Sequence, residues 1–283
     1  MRLLTASFAR QIQASRMVSL CAVILLVVAV IATFGPMLIS YDDISADFDN
    51  RLLPPGISHG HFFGTDELGR DLLARALSGI RVTLVVAVVA SVMSLVIGVL
   101  YGATAGYIGG RIDGFMMRIV DGIYALPFIF TVILLMVAFG RSMLLILIAI
   151  AAINWLDMAR IVRGQTISLK ERGFVEAARL IGVPTIRIIT HHITPNLLGV
   201  VIVYMTLAIP QAILMESFLS FLGLGIQEPQ TSLGSLVNAG VSHMENASWL
   251  LVIPAGALAL ILLCFNFLGD GLRDLVDPKG KTR

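Results

Sequence analysis

The sequence predicts an all-α integral membrane protein of six transmembrane helices, with its N- and C-termini in the cytoplasm. Three observations predict this: the composition, the spacing of the apolar runs and the placement of Lys and Arg. Of 283 residues, 57% are apolar and 13% are charged, whereas soluble domains have about 45–50% and about 25%. A chain of this length cannot bury that much apolar surface in its own core, so the excess must face lipid.

The apolar runs define the spans. A helix that crosses about 30 Å of hydrocarbon needs roughly 20 residues. The fourth run is short, because Asp157 and Arg160 follow it, but the turn at Gly140-Arg141-Ser142 requires the chain to cross back. The first is read as a retained helix, since it is longer than a signal-peptide core and no A-x-A site follows. The six spans are Met17–Ser40, Val82–Gly110, Gly122–Gly140, Ser142–Leu156, Ile188–Met215 and Ala247–Gly269.

The distribution of basic residues sets the orientation. Segments 1–16, 111–118, 160–187 and 270–283 hold three, two, six and four Lys and Arg residues, fifteen of the chain's twenty. Positively charged loops remain in the cytoplasm, so we place these four segments and both termini there.

The chain reads as one membrane domain with three parts. Residues 1–80 hold the N-terminal tail, the first span and an extracytoplasmic loop, residues 81–270 form the transmembrane core, and residues 271–283 form a cytoplasmic tail. The net charge of +2 is small and the basic residues are scattered, which argues against a nucleic-acid partner. Cys21 and Cys264 lie within apolar runs and are expected to be small buried hydrophobes, without a disulfide or metal.

The cytoplasmic loop 160–196 carries the clearest local pattern. Ser168-Leu169-Lys170-Glu171 matches a capping box, which predicts a short helix over Phe174–Ile181. Gly182-Val183-Pro184 is typical of a helix end, and a second helical stretch is predicted over Thr185–His192.

The short helix has two interpretations that its spacing leaves open. Ala177 and Ala178 leave its surface bare, so that a groove of another protein could approach the backbone, with Glu176 and Arg179 flanking the contact. Alternatively, the helix lies on the lipid headgroups with its basic residues facing phosphates.

Several motifs in this loop and elsewhere resemble those of one transport family. Glu176-Ala177-Ala178, Gly182 and Ile193-Thr194-Pro195 resemble the EAA loop of ABC-importer permeases, although Thr194 stands where that pattern usually has Leu. Residues 63–71 resemble the dipeptide/oligopeptide/nickel group. Residues 154–166, 216–225 and 269–278 are similar to the C-type permease subunit of its oligopeptide importers.

The resemblance implies a type I ABC-importer permease fold with an EAA coupling helix, in the bacterial cytoplasmic membrane. It implies these partners: a second, B-type permease subunit, two ATP-binding subunits that carry ATP and Mg, an extracytoplasmic peptide-binding protein and a peptide substrate. This chain would be non-catalytic and bind no cofactor. Gly280-Lys281-Thr282 matches the end of a P-loop by chance, because Leu275 stands at its first glycine position. The residues implied in ATPase coupling are Glu176, Ala177, Ala178, Arg179, Gly182 and Pro195.

Polar residues inside the spans are candidates for the pore, since they are costly against lipid. Asp121, Asp157 and Asn266 fall near cytoplasmic ends, where water or headgroups could satisfy them. Asn154 is a further candidate. Glu216, nearer the outer side, is expected to face the cavity or a subunit contact, or else to be an ion-paired structural carboxylate.

The first outer loop carries candidate residues for contact with a binding protein. Asp66, Glu67, Arg70 and Asp71 could face that partner, or they could form a self-satisfied, salt-bridged cap. His59 and His61 are expected to be solvated loop residues without a metal.

Other functions remain open to test. Relatives of the same architecture carry dipeptides, nickel, glutathione or opines. A proton-coupled secondary transporter would show inverted repeats, broken helices and paired midplane carboxylates, and the sequence predicts none of these. The lack of G-x-S-x-G and H-E-x-x-H motifs argues against a membrane hydrolase.

Overall fold

The computed structural model describes residues 16–37, 44–56 and 60–276, and these residues are mainly helical. Two 3₁₀ turns, Gly35–Met37 and Phe48–Asn50, lie between the first two helices. The helices are α1 (Arg16–Phe34), α2 (Leu72–Ile108), α3 (Gly110–Tyr124), α4 (Phe128–Phe139), α5 (Met143–Lys170), α6 (Gly173–Leu180), α7 (Thr185–Phe221), α8 (Leu233–Ser242) and α9 (Trp249–Val276).

Five of the described helices, α1, α2, α5, α7 and α9, are long and apolar enough to cross a membrane, and α3 with α4 counts as a sixth span if the pair is taken together. The predicted multi-pass, all-α fold is confirmed. The predicted end of the first span, Ser40, lies outside the described residues.

The third span differs from the prediction. We expected one helix over Gly122–Gly140, but α3 and α4 meet at an angle of 81°. Pro127 lacks a backbone N–H and disfavours helical geometry at Leu126, so the helix breaks there. The expectation that the chain has no broken helix was therefore wrong.

The helices also run further than the apolar runs indicated. Helix α2 begins at Leu72 and α5 continues to Lys170, so the cytoplasmic loop begins at Glu171 instead of residue 160. The predicted capping box at Ser168 was wrong, because Ser168 lies in the last turn of α5. The residue that precedes α6 is Arg172, which makes no side-chain cap.

Helices α2 and α5 make the most extensive contact of any helix pair among the described residues. Gly98, Gly102 and Gly106 of α2 face α5, and a Cβ at Gly102 would lie 2.3 Å from the Ala159 carbonyl oxygen. Small residues four apart let membrane helices approach closely. The spacing of these glycines is visible in the sequence, but our sequence analysis did not use it.

The first and last described helices pack together. Helix α1 contacts α9 and α2. Cys21 of α1 and Cys264 of α9 are both buried, as predicted.

Candidate functional site

Helix α6 is a short helix between two long ones. It covers Gly173–Leu180, within one residue of the predicted Phe174–Ile181. Gly182 has a φ of +80°, a conformation that glycine adopts without strain and that commonly ends helices.

One face of α6 packs onto the base of α7. Val175 is fully buried and Ala178 is nearly so, in a cluster with Ile188, Ile189 and Ile193. The prediction that Ala178 leaves the surface bare was wrong, whereas Ala177 is exposed. These buried apolar contacts connect α6 to the cytoplasmic part of α7.

The opposite face of α6 and the turn after it expose apolar side chains. Leu180 and Ile181 are 82% and 80% exposed, and Phe174 and Ile186 are also exposed. We call these four residues, together with Ala177, the coupling patch. Clustered exposed apolar side chains mark a site of contact with another protein or a membrane.

The charged residues of α6 have different surroundings. The Arg179 guanidinium carbon lies 5.5 Å from the centre of the Tyr107 ring, and Lys170 Nζ lies 6.0 Å from it. The Arg179 contact fastens α6 to the cytoplasmic end of α2, and the Lys170 contact fastens the end of α5 to the same place. Glu176 and Arg179, the two charges predicted to flank a docking contact, are both exposed.

The base of α7 contains a π-helical segment. Residues Ile188–Ile193 adopt this geometry, and Pro195 follows in the first turn of α-helix. The Thr194 hydroxyl donates to the Ile189 carbonyl at 2.9 Å. The stretch predicted over Thr185–His192 is therefore continuous with α7, and α6 is the one separate short helix of the cytoplasmic loop.

Ion pairs connect α3 to α5 near the cytoplasmic side. Arg163 Nε and a terminal nitrogen donate to the Asp113 carboxylate at 2.5 and 2.7 Å. Arg160 donates to Asp121 at 2.7 Å and lies over the Tyr124 ring. The Asp121 side chain is 65% exposed, so this candidate pore residue takes part in a surface ion pair. No sequence pattern had indicated Asp113.

A cleft of about 420 Å³ lies between α5 and α7. Asn154 is 8% exposed, and its Nδ2 has no hydrogen-bond partner among the described residues. Asn266 lies on α9 outside this cleft, with an exposed side chain. The residues that line the cleft are Asn154, Asp157, Met158, Arg160, Ile161, Tyr204, Leu207, Ala208 and Gln211.

Glu216 is fully buried near the outer end of α7. Its carboxylate accepts hydrogen bonds from the Ser220 hydroxyl at 2.7 Å and the Thr83 hydroxyl at 3.3 Å. The Ser232 hydroxyl donates to Ser220 at 3.1 Å. We call Thr83, Glu216, Ser220 and Ser232 the outer hydroxyl cluster. The expectations that Glu216 faces the cavity or forms an ion pair were both wrong within the described chain.

Three of the four charged candidates of the first outer loop, Asp66, Arg70 and Asp71, also lie inside the protein. Asp66 accepts from Arg70 and Arg75, and both arginines donate to Glu228 of the last outer loop. Burial acts to lower the pKa of Arg70, but its bonds to Glu228 and Asp66 outweigh this and raise the pKa. This network, which we call the outer ion cluster, matches the self-satisfied cap; Glu228 was not predicted.

The remaining loop candidates include both buried and exposed residues. Asp71 is 4% exposed, receives the Ala74 N–H as the N-cap of α2, and lies 2.8 Å from His61 Nδ1. His61 is buried, so its predicted solvation was wrong, and His59 lies outside the described residues. Glu67 is exposed, and it is the one residue of the four candidates that a binding protein could reach directly.

Comparison with known proteins agrees with this architecture. Residues 94–281 match the family model described as "Binding-protein-dependent transport system inner membrane component". The chain is 53% identical over 261 residues to the oligopeptide transport system permease protein OppC of Escherichia coli K12, covering 92% of this chain and 86% of that protein. It is 44% identical over 257 residues to the dipeptide transport system permease protein DppC of Bacillus subtilis, covering 90% and 80%.

The fold has a solved counterpart. A chain of the MetNI methionine ABC transporter in an inward-facing conformation aligns with a TM-score of 0.57 at 18% identity, over 70% of this chain and 95% of that one. The helical spans, the α6 loop and the family match over most of the sequence lead to one conclusion. The chain belongs to the family of inner membrane components of binding-protein-dependent transport systems, and it is a multi-pass membrane permease of that family.

Proposed function

We propose that this chain is one of two permease subunits that form the pore of an ATP-driven oligopeptide importer in the bacterial cytoplasmic membrane. The observation that carries the proposal is the coupling patch: a short cytoplasmic helix, packed on a transmembrane helix by one face and exposing apolar side chains on the other. The similarity to proteins named oligopeptide transport permeases supports the cargo.

In this proposal, α6 is the helix that the partner ATPases contact and move. Closure of the ATPases moves the coupling patch, and the buried contacts of Val175 and Ala178 pass that movement to the base of α7. Because α7 is one wall of the cleft, its displacement changes access to the pore. The residues that shape or flank this contact region are Glu176, Arg179, Gly182 and Pro195.

Energy is supplied by other chains. The sequence lacks a P-loop, so ATP and Mg would be bound by two partner ATPase subunits, and this chain would be non-catalytic and without a cofactor of its own. A B-type permease would complete the pore, and an extracytoplasmic binding protein would deliver the cargo, with Glu67 as its candidate contact. Asn154, and at the cytoplasmic margin Asp121, are the candidate pore residues.

The cargo class follows from the relatives, one of which is named a dipeptide permease. In this arrangement the binding protein sets selectivity. Identifying the ligand retained by a binding protein encoded beside this gene would therefore decide whether the cargo is oligopeptides or one of the alternatives, which are dipeptides, nickel, glutathione and opines.

The coupling role is tested by enlarging the contact. The double variant Ala177→Arg, Gly182→Arg should abolish ATP-dependent peptide uptake while leaving membrane insertion intact. Both positions are exposed and Gly182 has open space around it, although arginine at its positive φ is strained. Ala177→Ser, which keeps a small side chain, is the matched control and should retain uptake.

The same experiment addresses the secondary transporter, which the break between α3 and α4 favours. Uptake that survives in the double variant, or that persists without any co-expressed ATPase, would contradict the coupling role and favour transport driven by protons.

A further inference from the structure

The cleft between α5 and α7 has amide side chains at the depth of the membrane midplane. Asn154 lies eleven residues after the outer start of α5, and Gln211 lies ten residues before the outer end of α7. At 1.5 Å per residue these positions are about 17 Å and about 15 Å from the outer ends of their helices. The two carboxamides are therefore at matching depth in a hydrocarbon core of about 30 Å.

These amides lack partners within the described chain. Asn154 is more than nine-tenths buried, yet its Nδ2 makes no hydrogen bond. Gln211 is exposed at the cleft wall, where contact with lipid would be costly. A polar ligand in the cleft would satisfy both side chains.

The chemistry of the two amide side chains on the cleft wall indicates the class of ligand. A carboxamide offers both a donor and an acceptor, as does each peptide unit of a polypeptide backbone. A peptide that crosses the membrane must have its main-chain N–H and C=O groups satisfied at every depth. Carboxamides meet this need without regard to the cargo's side chains.

The rest of the cleft continues this path toward the cytoplasm. Asp157 and Arg160 follow Asn154 on α5, and Tyr204 lies two turns below Gln211 on α7. By contrast, the groove between α4 and α7 is lined by apolar residues such as Phe130 and Leu214, which suits lipid or a protein helix. The polar cleft suits a hydrated peptide.

From this juxtaposition we propose that Asn154 and Gln211 form a main-chain subsite, which hydrogen-bonds the backbone of a peptide in transit independently of its sequence. This rests on the proposed import function. It adds Gln211, which the sequence analysis did not select, and it gives Asn154 a defined ligand chemistry.

The test uses the complete transporter, with partner permease, ATPases and binding protein, in proteoliposomes supplied with radiolabelled tetraalanine. This peptide offers little but its main chain for polar contact. Asn154→Leu and Gln211→Leu should each reduce uptake about fivefold to tenfold, as expected for one lost hydrogen bond. ATPase activity stimulated by the binding protein should stay within about twofold of the original.

Two controls separate binding from structure. Gln211→Asn keeps the carboxamide and should restore most of the uptake, while Gln165→Leu removes an exposed amide on α5 outside the cleft and should change little. Unchanged uptake in both leucine variants would overturn the subsite, as would a parallel loss of uptake and ATPase stimulation.

A second measurement tests for another occupant. In the variant Ala208→Cys, the new thiol lies on the cleft wall and should react with an impermeant maleimide in the assembled complex. Tetraalanine should slow this reaction during turnover. Absence of labelling would mean that the partner permease fills the cleft, and would overturn the subsite. Failure of the unsubstituted transporter to import any peptide would instead overturn the proposed function.

Discussion

The outer and cytoplasmic ends of this permease are held together by different interactions. At the outer end, segments far apart in sequence are joined through buried side chains. The buried Arg70 and Arg75 bridge Asp66 to the more exposed Glu228, and the buried Glu216 accepts hydrogen bonds from Ser220 and Thr83. At the cytoplasmic end, α6 is held by a small cluster of apolar side chains and by the cation–π contact of Arg179 with Tyr107.

The difference has a mechanical meaning. Buried, directional hydrogen bonds fix one geometry, because breaking any of them strands a polar group. Apolar contacts on one face of a two-turn helix allow small shifts at low cost. The contacts of the outer end thus favour one fixed geometry, whereas those of α6 allow this helix to shift.

The largest effect should come from the outer hydroxyl cluster. Glu216→Ala leaves a cavity and removes the acceptor for two buried hydroxyls, so we expect a loss of about 3 kcal/mol in the free energy of unfolding. Thermal unfolding of the detergent-solubilised protein measures this. Glu216→Gln retains size and an acceptor and should cost less than about 1 kcal/mol; equal losses in both variants would show that the hydrogen bonds do not matter.

A smaller effect is expected from the outer ion cluster. Glu228→Ala removes an acceptor shared by Arg70 and Arg75. The Glu228 side chain is 60% exposed, but the two arginine side chains are only 5% and 6% exposed and would lose part of their hydrogen bonding, so we expect a loss of about 2 kcal/mol. Amide hydrogen exchange over residues 60–71 should accelerate accordingly. Gln227→Ala, at an exposed neighbouring position, should leave that exchange nearly unchanged. An equal acceleration in both variants would argue against a stabilising role of the outer ion cluster.

The coupling patch should affect assembly more than folding. Leu180→Ser with Ile181→Ser removes exposed apolar surface, so we expect about tenfold weaker binding of the ATPase subunits, measured by co-purification at a series of concentrations. Membrane insertion should be normal. Phe62→Ser, at a residue that is also exposed but lies on the outer loop, should have no effect on that binding.

The smallest effect is expected at the surface ion pair of α3 and α5. Asp121→Asn should change stability by less than about 1 kcal/mol, because the Asp121 and Arg160 side chains are 65% and 41% exposed and an exposed pair contributes little. A loss as large as that from Glu228→Ala would contradict the view that the fixed geometry is confined to the outer end.

The sequence predicted the spans and the short helix because both depend on local patterns. Apolar runs gave α1, α2, α5, α7 and α9, and Gly182 gave the end of α6. Pro127 carried the signal for the break between α3 and α4, but the apolar run around it concealed that signal.

Long-range polar contacts were not predictable in the same way. Glu228 is 158 residues from Arg70, and Thr83 is 133 residues from Glu216. Nothing in their local sequence indicates these partners. For the same reason Glu216 was expected to face the cavity or a subunit contact, or else to be ion-paired, because its hydroxyl partners could not be identified from the sequence.

The most direct test of the coupling role is a cross-link at α6. Ala177→Cys introduces an exposed thiol, while the native Cys21 and Cys264 are buried. We predict that a short bifunctional thiol reagent joins this cysteine to a co-expressed ATPase subunit, with a yield that changes when ATP is added. Labelling of the same cysteine from the extracytoplasmic side by an impermeant maleimide would contradict the account.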